Sequence, residues 1–157
     1  MATSMRRQTE LPAKVEDLAR RVIGCAIEVH RRLGPGLLEK VYERALEIEL
    51  RRAGISARTQ VTVPVYYRDE KIGEHVLDMD AEGLIVLELK SAEAVSVVHR
   101  ATVISYLRVA DRPLGLIMNF NTAVLKDGIE RFVNLDWSGL SSSLPSSLRD
   151  FVQNETT

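Results

Sequence analysis

Cysteine is nearly absent from this chain of 157 residues, since Cys25 is the only one. A single cysteine excludes an intrachain disulfide and a cysteine-based zinc site, and its place in an apolar helical stripe predicts a buried structural thiol. Long hydrophobic runs are also missing, because no apolar stretch approaches the ~20 residues that span a bilayer. The first residues lack the apolar core of a signal peptide, so we expect a cytoplasmic protein with no membrane partner.

A strong charge of one sign is absent as well, because 21 Lys and Arg residues face 22 Asp and Glu residues, for a net charge of −1. This balance neither demands nor excludes a nucleic-acid partner. Hydrophobic residues make up 45% of the chain, and its length suits one domain with a sizeable core. We expect a flexible lead over residues 1–12, a folded domain over 13–136, and a serine-rich tail over 137–157 with a short helix near 146–152.

Hydrophobic periodicity divides the folded domain into helices and strands. Helical spacing predicts helices over residues 13–33, 37–53 and 94–110, and the second should bury Leu38, Val41, Ala45 and Ile48. Extended patterns predict strands over residues 59–67, 72–80, 84–90 and 114–120, followed by a small hairpin within 124–133. Antiparallel strands first and a helical crossover later predict an α/β or α+β fold, a mixed sheet flanked by helices.

Charged residues interrupt the most apolar part of this sheet. The strand over residues 84–90 reads as buried on both faces, yet it contains Glu88 and Lys90. A buried carboxylate needs a partner or a metal ion, because an isolated charge is costly in a low dielectric. The preceding strand contains Asp78 and Asp80, which share one face because side chains alternate along a strand. These residues form a candidate site, and the alternative is that Glu88 and Lys90 merely pair with neighbours.

The loop between these two strands decides whether the acids meet. A three-residue loop over residues 81–83, with Gly83 in the left-handed conformation, would pair Asp78 with Val86. Asp78 and Glu88 would then be diagonal neighbours on one face, within reach of one divalent cation. A two-residue loop would place them on opposite faces. We prefer Asp78 to Asp80, which lies nearer the turn and should be solvated. Strand alternation turns His75 away from Asp78 and gives it no role.

Two helices carry further candidate residues. Glu39 stands in the first turn of the second helix on the same side as Tyr42, and an acid there also suits the helix dipole without any other function. His99, Thr102 and Tyr106 lie on one side of the third helix. His30 lies where the first helix ends and is expected to cap that helix or to hydrogen-bond in the core.

Several of these residues resemble motifs of a known family. The segment from Gly36 to Tyr42 matches the signature of the GxxExxY proteins. The resemblance extends over about residues 22–134 and includes Asp78, the Glu88-Leu89-Lys90 segment, His99, Ser105-Tyr106-Leu107 and residues 116–120. GxxExxY proteins are similar to the PD-(D/E)XK nuclease superfamily, and this likeness implies a single-domain core in the order αβββαβ.

The resemblance implies a metal-dependent nuclease and a role for each site residue. Asp78 and Glu88 would bind Mg²⁺, which Mn²⁺ can replace, with Glu39 as a direct or water-mediated ligand and the Leu89 carbonyl as a further donor. Lys90 would orient the attacking water or stabilise charge in the transition state. Residues implied to contact the substrate are Tyr42, His99, Thr102 and Tyr106. DNA is the expected substrate, ahead of RNA.

One departure from the family pattern keeps two other functions open. Thr102 stands where a glutamine is expected, so the chain retains a hydroxyl but lacks the amide. This difference favours, as an alternative, a module that binds nucleic acid with weakened catalysis. A second alternative is a partner-binding protein on the same fold, for instance a homodimer whose acids are remnants.

Overall fold

The computed structural model describes residues 11–139. Most of the expected N-terminal lead and nearly all of the serine-rich tail, including the short helix near 146–152, lie outside the described residues. Within residues 11–139, no helix is both long enough and apolar enough to span a membrane.

Three α-helices and five strands make up the described part of the chain. The helices are α1 (Ala13–Leu33), α2 (Glu39–Arg52) and α3 (Val97–Ala110). The strands are β1 (Ala57–Tyr67), β2 (Glu70–Ala81), β3 (Ile85–Lys90), β4 (Leu114–Asn119) and β5 (Ile129–Val133), with a short 3-10 turn just before β5. The three predicted helices and the first four predicted strands are present in the predicted order, and α1 has the predicted bounds. The predicted hairpin within residues 124–133 is wrong, because residues 125–128 form the 3-10 turn and β5 pairs with β4 instead.

The five strands form one mixed sheet in the order β1-β2-β3-β4-β5. Strands β3 and β4 are parallel and are joined by α3, whereas every other neighbouring pair is antiparallel. Side chains of α1 and α2 share one apolar core with the sheet, and Leu107 of α3 belongs to a second, smaller core that also contains Leu77 and Val86. The predicted α+β fold, a mixed sheet flanked by helices, is confirmed.

Helix α2 buries a different face from the one that its sequence predicted. Its buried residues are Tyr42, Leu46 and Leu50. Of the expected stripe only Ala45 packs partly against the core, whereas Leu38 is 78% exposed, Val41 43% and Ile48 38%. Apolar residues occupy two sides of this helix, and packing selects the side with the larger aromatic ring. Tyr42 stacks on Phe120 with ring centroids 4.4 Å apart.

Tyr42 also organises the connection between α1 and α2. Its hydroxyl donates to the carbonyl of Gly34 at 2.5 Å and accepts the backbone N–H of Leu37 at 3.1 Å. The side chain is fully buried, and both hydrogen-bonding functions are used within the protein. The expected contact between Tyr42 and a substrate is therefore wrong, because this residue holds the loop that leads into Glu39.

Replacing Tyr42 by phenylalanine should destabilise the fold while preserving its apolar packing. The change leaves the N–H of Leu37 and the carbonyl of Gly34 without their partner, at a cost of about 1–3 kcal/mol. Urea unfolding measures the difference. Tyr67→Phe is the matched control, since this ring is 62% exposed and its loss of a hydroxyl should change stability by less than about 0.5 kcal/mol. Equal stabilities of the two variants would contradict the assignment.

Candidate active site

The β2–β3 hairpin brings the two predicted acids together, although in a different register. Its pairs are Met79 with Leu87, Asp80 with Val86 and Ala81 with Ile85. The loop has three residues, as predicted, but lies one position later at residues 82–84. Glu82 and Gly83 both have positive φ, of 56° and 67°. The predicted pairing of Asp78 with Val86 is therefore wrong.

The shift preserves the face of each side chain, because the pairing moves by two residues in total. Continued by one step, this register sets Asp78 opposite Glu88, in place of the diagonal arrangement. The outcome that would have separated the acids, a two-residue loop, does not occur.

Asp78 lies where both of its neighbouring ladders are interrupted. Pairing with β3 stops at Met79, and the ladder with β1 passes from Met79 to Leu77 without a partner for Asp78. On the β1 side, Gln60 has a positive φ of 50°. The Asp78 carboxylate takes over part of the missing pairing, because its Oδ2 accepts the backbone N–H of Leu89 at 3.0 Å. The gap therefore directs this acid toward β3.

Glu88 is a buried carboxylate beside a second acid. Its side chain is 10% exposed, and its Oε1 lies 3.4 Å from the Lys90 ammonium. Burial first, and then the neighbouring charge of Asp78, raise the pKa of Glu88 to about 7 against the opposing charge of Lys90. Within residues 11–139 its buried Oε2 has no hydrogen-bond donor.

Glu39 lies at the edge of this arrangement. It is the first residue of α2, and its Oε1 accepts the backbone N–H of Ser91 at 3.4 Å, just beyond the end of β3. The Ser91 hydroxyl donates to the carbonyl of Leu37 at 2.6 Å, which ties the start of α2 to the site strand. Among residues 11–139, no three His, Cys, Asp or Glu side chains converge as a ready metal site. The role of Glu39 as a ligand remains a prediction.

The candidate residues of α3 divide into two groups. His99 and Ser96 form a reciprocal capping box at the start of the helix, and the Thr102 hydroxyl donates to the Val98 carbonyl at 2.8 Å. Their proposed contacts with substrate are not tested by these bonds. Tyr106 lies nearer to the acids than His99 and Thr102 do. Burial, and then the charges of Glu88 and Asp78, raise the pKa of its phenol.

His75 belongs to the same neighbourhood, although strand alternation predicted otherwise. Its Nε2 lies 3.3 Å from the Ser105 hydroxyl, and its ring packs against Tyr106 at 4.7 Å between centroids. The alternation of side chains does not carry over from Asp78 to His75, because the ladder between β1 and β2 has no pair at Asp78. No residue pattern in the sequence predicts this irregularity.

Asp80 is the most buried of the acids and has a structural environment. It is 1% exposed, and its Oδ2 accepts bonds from Arg112 at 2.9 Å and from Arg58 at 3.0 Å. The expectation that Asp80 is solvated was wrong, because two guanidinium groups compensate its burial. These ion pairs join β2 to β1 and to the segment after α3.

His30 and Cys25 occupy the predicted kinds of environment. His30 is 7% exposed, and its Nε2 lies 2.8 Å from the Thr122 carbonyl, which makes it a hydrogen-bonded core histidine. Cys25 is buried, and burial raises the pKa of its thiol. Neither residue belongs to the candidate site.

Comparison with known families identifies the class of this protein. A family model described as the PD-(D/E)XK nuclease superfamily matches residues 16–132, about three quarters of the chain. The chain therefore belongs to the PD-(D/E)XK nuclease superfamily. Nucleases of this superfamily generally use divalent metal ions. Comparisons with curated proteins and with solved structures found no significant match.

The raised pKa of Glu88 predicts how stability depends on pH without divalent metal. Between the ordinary pKa of 4.5 and about 7, the folded state holds a proton that the unfolded state has released. This contribution is complete below pH 4.5 and is lost as pH rises through 7, for a total of about 3 kcal/mol. Glu88→Gln should therefore be more stable than the wild type at pH 8. This advantage should be smaller at pH 5, where Glu88 is protonated in the folded protein.

Urea unfolding in EDTA at both pH values measures this difference. Glu74→Gln, which changes an exposed acid of the neighbouring strand β2 paired with Lys71, is the control and should follow the wild type. Parallel pH profiles for the wild type and Glu88→Gln would show that Glu88 ionises as an ordinary glutamate.

Proposed function

We propose that this protein is a Mg²⁺-dependent nuclease of the GxxExxY type that hydrolyses phosphodiester bonds, in DNA in preference to RNA. The observation that carries the proposal is the pairing of half-buried Asp78 with buried Glu88 beside Lys90. Two carboxylates held together in a low dielectric repel each other and are stabilised by a cation between them. Membership of the nuclease superfamily supports a nucleic-acid substrate.

The unpaired oxygen of Glu88 fits a metal ligand. Oε2 is buried and, among the described residues, accepts no hydrogen bond, which is costly unless another positive partner binds it. Carboxylate, carbonyl and water oxygens are the ligands that Mg²⁺ and Mn²⁺ prefer. Asp78 and Glu88 would hold the ion, with the Leu89 carbonyl and Glu39 as further donors. When bound, such a cation polarises the phosphodiester and lowers the pKa of a bound water.

Lys90 places a positive charge of the protein itself beside Glu88. Its side chain is 18% exposed, and its ammonium lies 3.4 Å from Glu88 Oε1. It shares a face of β3 with Glu88, so both head groups face the same space. There Lys90 would orient the attacking water or stabilise the charge that develops on the phosphoryl oxygens. Tyr106 and His99 would contact the substrate phosphate from α3.

Cleavage assays with purified protein test this proposal directly. Duplex DNA, single-stranded DNA and RNA are incubated with Mg²⁺, Mn²⁺ or EDTA, and we expect metal-dependent cleavage, fastest on DNA. Glu88→Gln and Lys90→Met should each lower the rate by about 100-fold or more, because metal and electrostatic contributions of single groups have this magnitude. Glu74→Gln, which lies outside the site, should retain wild-type activity. Cleavage that survives in both site variants would place the activity elsewhere.

Thr102 supports a second candidate function, a nucleic-acid-binding module with weakened catalysis. Its hydroxyl donates to a carbonyl of its own helix and offers no donor to the site. This candidate predicts binding of DNA that weakens with salt, since phosphate contacts release counterions, together with little cleavage. Thr102→Gln should then raise the cleavage rate. Filter binding and cleavage measured on the same preparations separate the two functions.

A partner-binding role without metal or nucleic acid is tested by calorimetry. Mn²⁺ should bind the wild type and fail to bind Glu88→Gln. Absence of both Mn²⁺ binding and DNA binding at low salt would remove both nucleic-acid functions. Sedimentation of the same protein tests the predicted homodimer.

A further inference from the structure

The imidazole of His75 links strand β2 to helix α3 at the side of the candidate site. It is half-buried, its Nε2 lies 3.3 Å from the Ser105 hydroxyl, and its ring meets the Tyr106 ring at 62° with centroids 4.7 Å apart. This is an edge-to-face contact, one of the arrangements that aromatic rings prefer over a face-to-face sandwich. One side chain of β2 therefore contacts two consecutive residues of α3.

The phenol of Tyr106 is the group that this contact holds. Among residues 11–139, its hydroxyl makes no hydrogen bond, and it lies within the electrostatic field of both Glu88 and Asp78. Its ring packs on the apolar cluster of Leu77, Val86 and Leu107, in which Leu77 adjoins Asp78 and Val86 lies two residues before Glu88. A free hydroxyl beside two carboxylates is a donor for an oxygen that approaches them, and a phosphate supplies such an oxygen.

The position of that hydroxyl depends on how the ring is held. Apolar packing opposes movement of the ring away from the sheet but has little directional preference. The edge of the imidazole adds a directional contact, and the hydrogen bond with Ser105 fixes the imidazole in turn. Precise placement of a substrate-binding group matters, because small displacements lower rates strongly.

We propose that His75 is a positioning residue of the nuclease site, which holds the Tyr106 ring so that its hydroxyl faces the phosphate of a nucleic acid bound at Asp78 and Glu88. The inference rests on the proposed function. His75 acts through Tyr106 and makes no contact with substrate itself. Ser105 supports the imidazole.

Tyrosine NMR tests the contact without any assay of activity. In protein labelled with ¹³C at tyrosine, the Tyr106 signals are assigned by their loss in Tyr106→Phe. His75→Ala should shift and broaden these signals, His75→Phe should largely restore them, and the other three tyrosines should stay unchanged. Val76→Ala, a neighbouring exposed position of β2, controls for general weakening of the strand. Unchanged Tyr106 signals in His75→Ala would overturn the proposal.

A double-mutant cycle tests the functional part. His75→Ala should lower kcat about tenfold, the scale of a positioning defect, and His75→Phe should recover most of that loss. In a Tyr106→Phe background, His75→Ala should cause no further loss, because its effect passes through the missing hydroxyl. Additive losses, or a His75→Phe enzyme as slow as His75→Ala, would overturn the proposal.

The two experiments also separate this inference from the proposed function. A wild-type protein that cleaves no nucleic acid would remove the proposed function and the catalytic role of His75 with it. An active enzyme with unchanged Tyr106 signals in His75→Ala would leave the proposed function standing and remove the positioning role alone.

Discussion

The rest of the site depends on one unfavourable contact, the approach of the half-buried Asp78 carboxyl group to the buried carboxyl group of Glu88. Burial, and then the like charge of Asp78, disfavour the ionised form of Glu88 and raise its pKa to about 7. Lys90 offsets only part of this repulsion. A folded protein retains such an arrangement when something else compensates it, and a divalent cation is the compensation that this donor set fits. The same contact underlies the predicted pH dependence of stability and the proposed chemistry.

The surrounding fold enforces that contact. The ladder between β2 and β3 stops one residue short of Asp78, whose carboxylate then accepts the Leu89 N–H. Asp80, two residues on, is fixed by Arg58 and Arg112. One acid of the strand is therefore neutralised by arginines and has a structural role, while the other is left facing Glu88. The two acids look alike in sequence and differ only in the cations that the fold brings to them.

Residue patterns predicted much of this arrangement, for physical reasons. Helical periodicity located α1, and strand parity placed Asp78 and Glu88 on one face, because these depend on local spacing. Packing between distant segments decided the rest. The buried face of α2 is set by the stacking of Tyr42 on Phe120, which lies far along the chain. The interruption at Asp78, which moved His75 toward Tyr106, involves Gln60 on another strand and could not be deduced from either strand alone.

The central claim is that Glu88 retains a proton to about pH 7 without metal and releases it to a cation held beside Asp78. The most direct measurement is the titration of the Glu88 carboxyl carbon by ¹³C NMR, assigned with Glu88→Gln, in EDTA and in Mg²⁺. The account predicts a midpoint near pH 7 without metal and a fall of several pH units when Mg²⁺ binds. A midpoint near the ordinary 4.5 that Mg²⁺ does not move would contradict it.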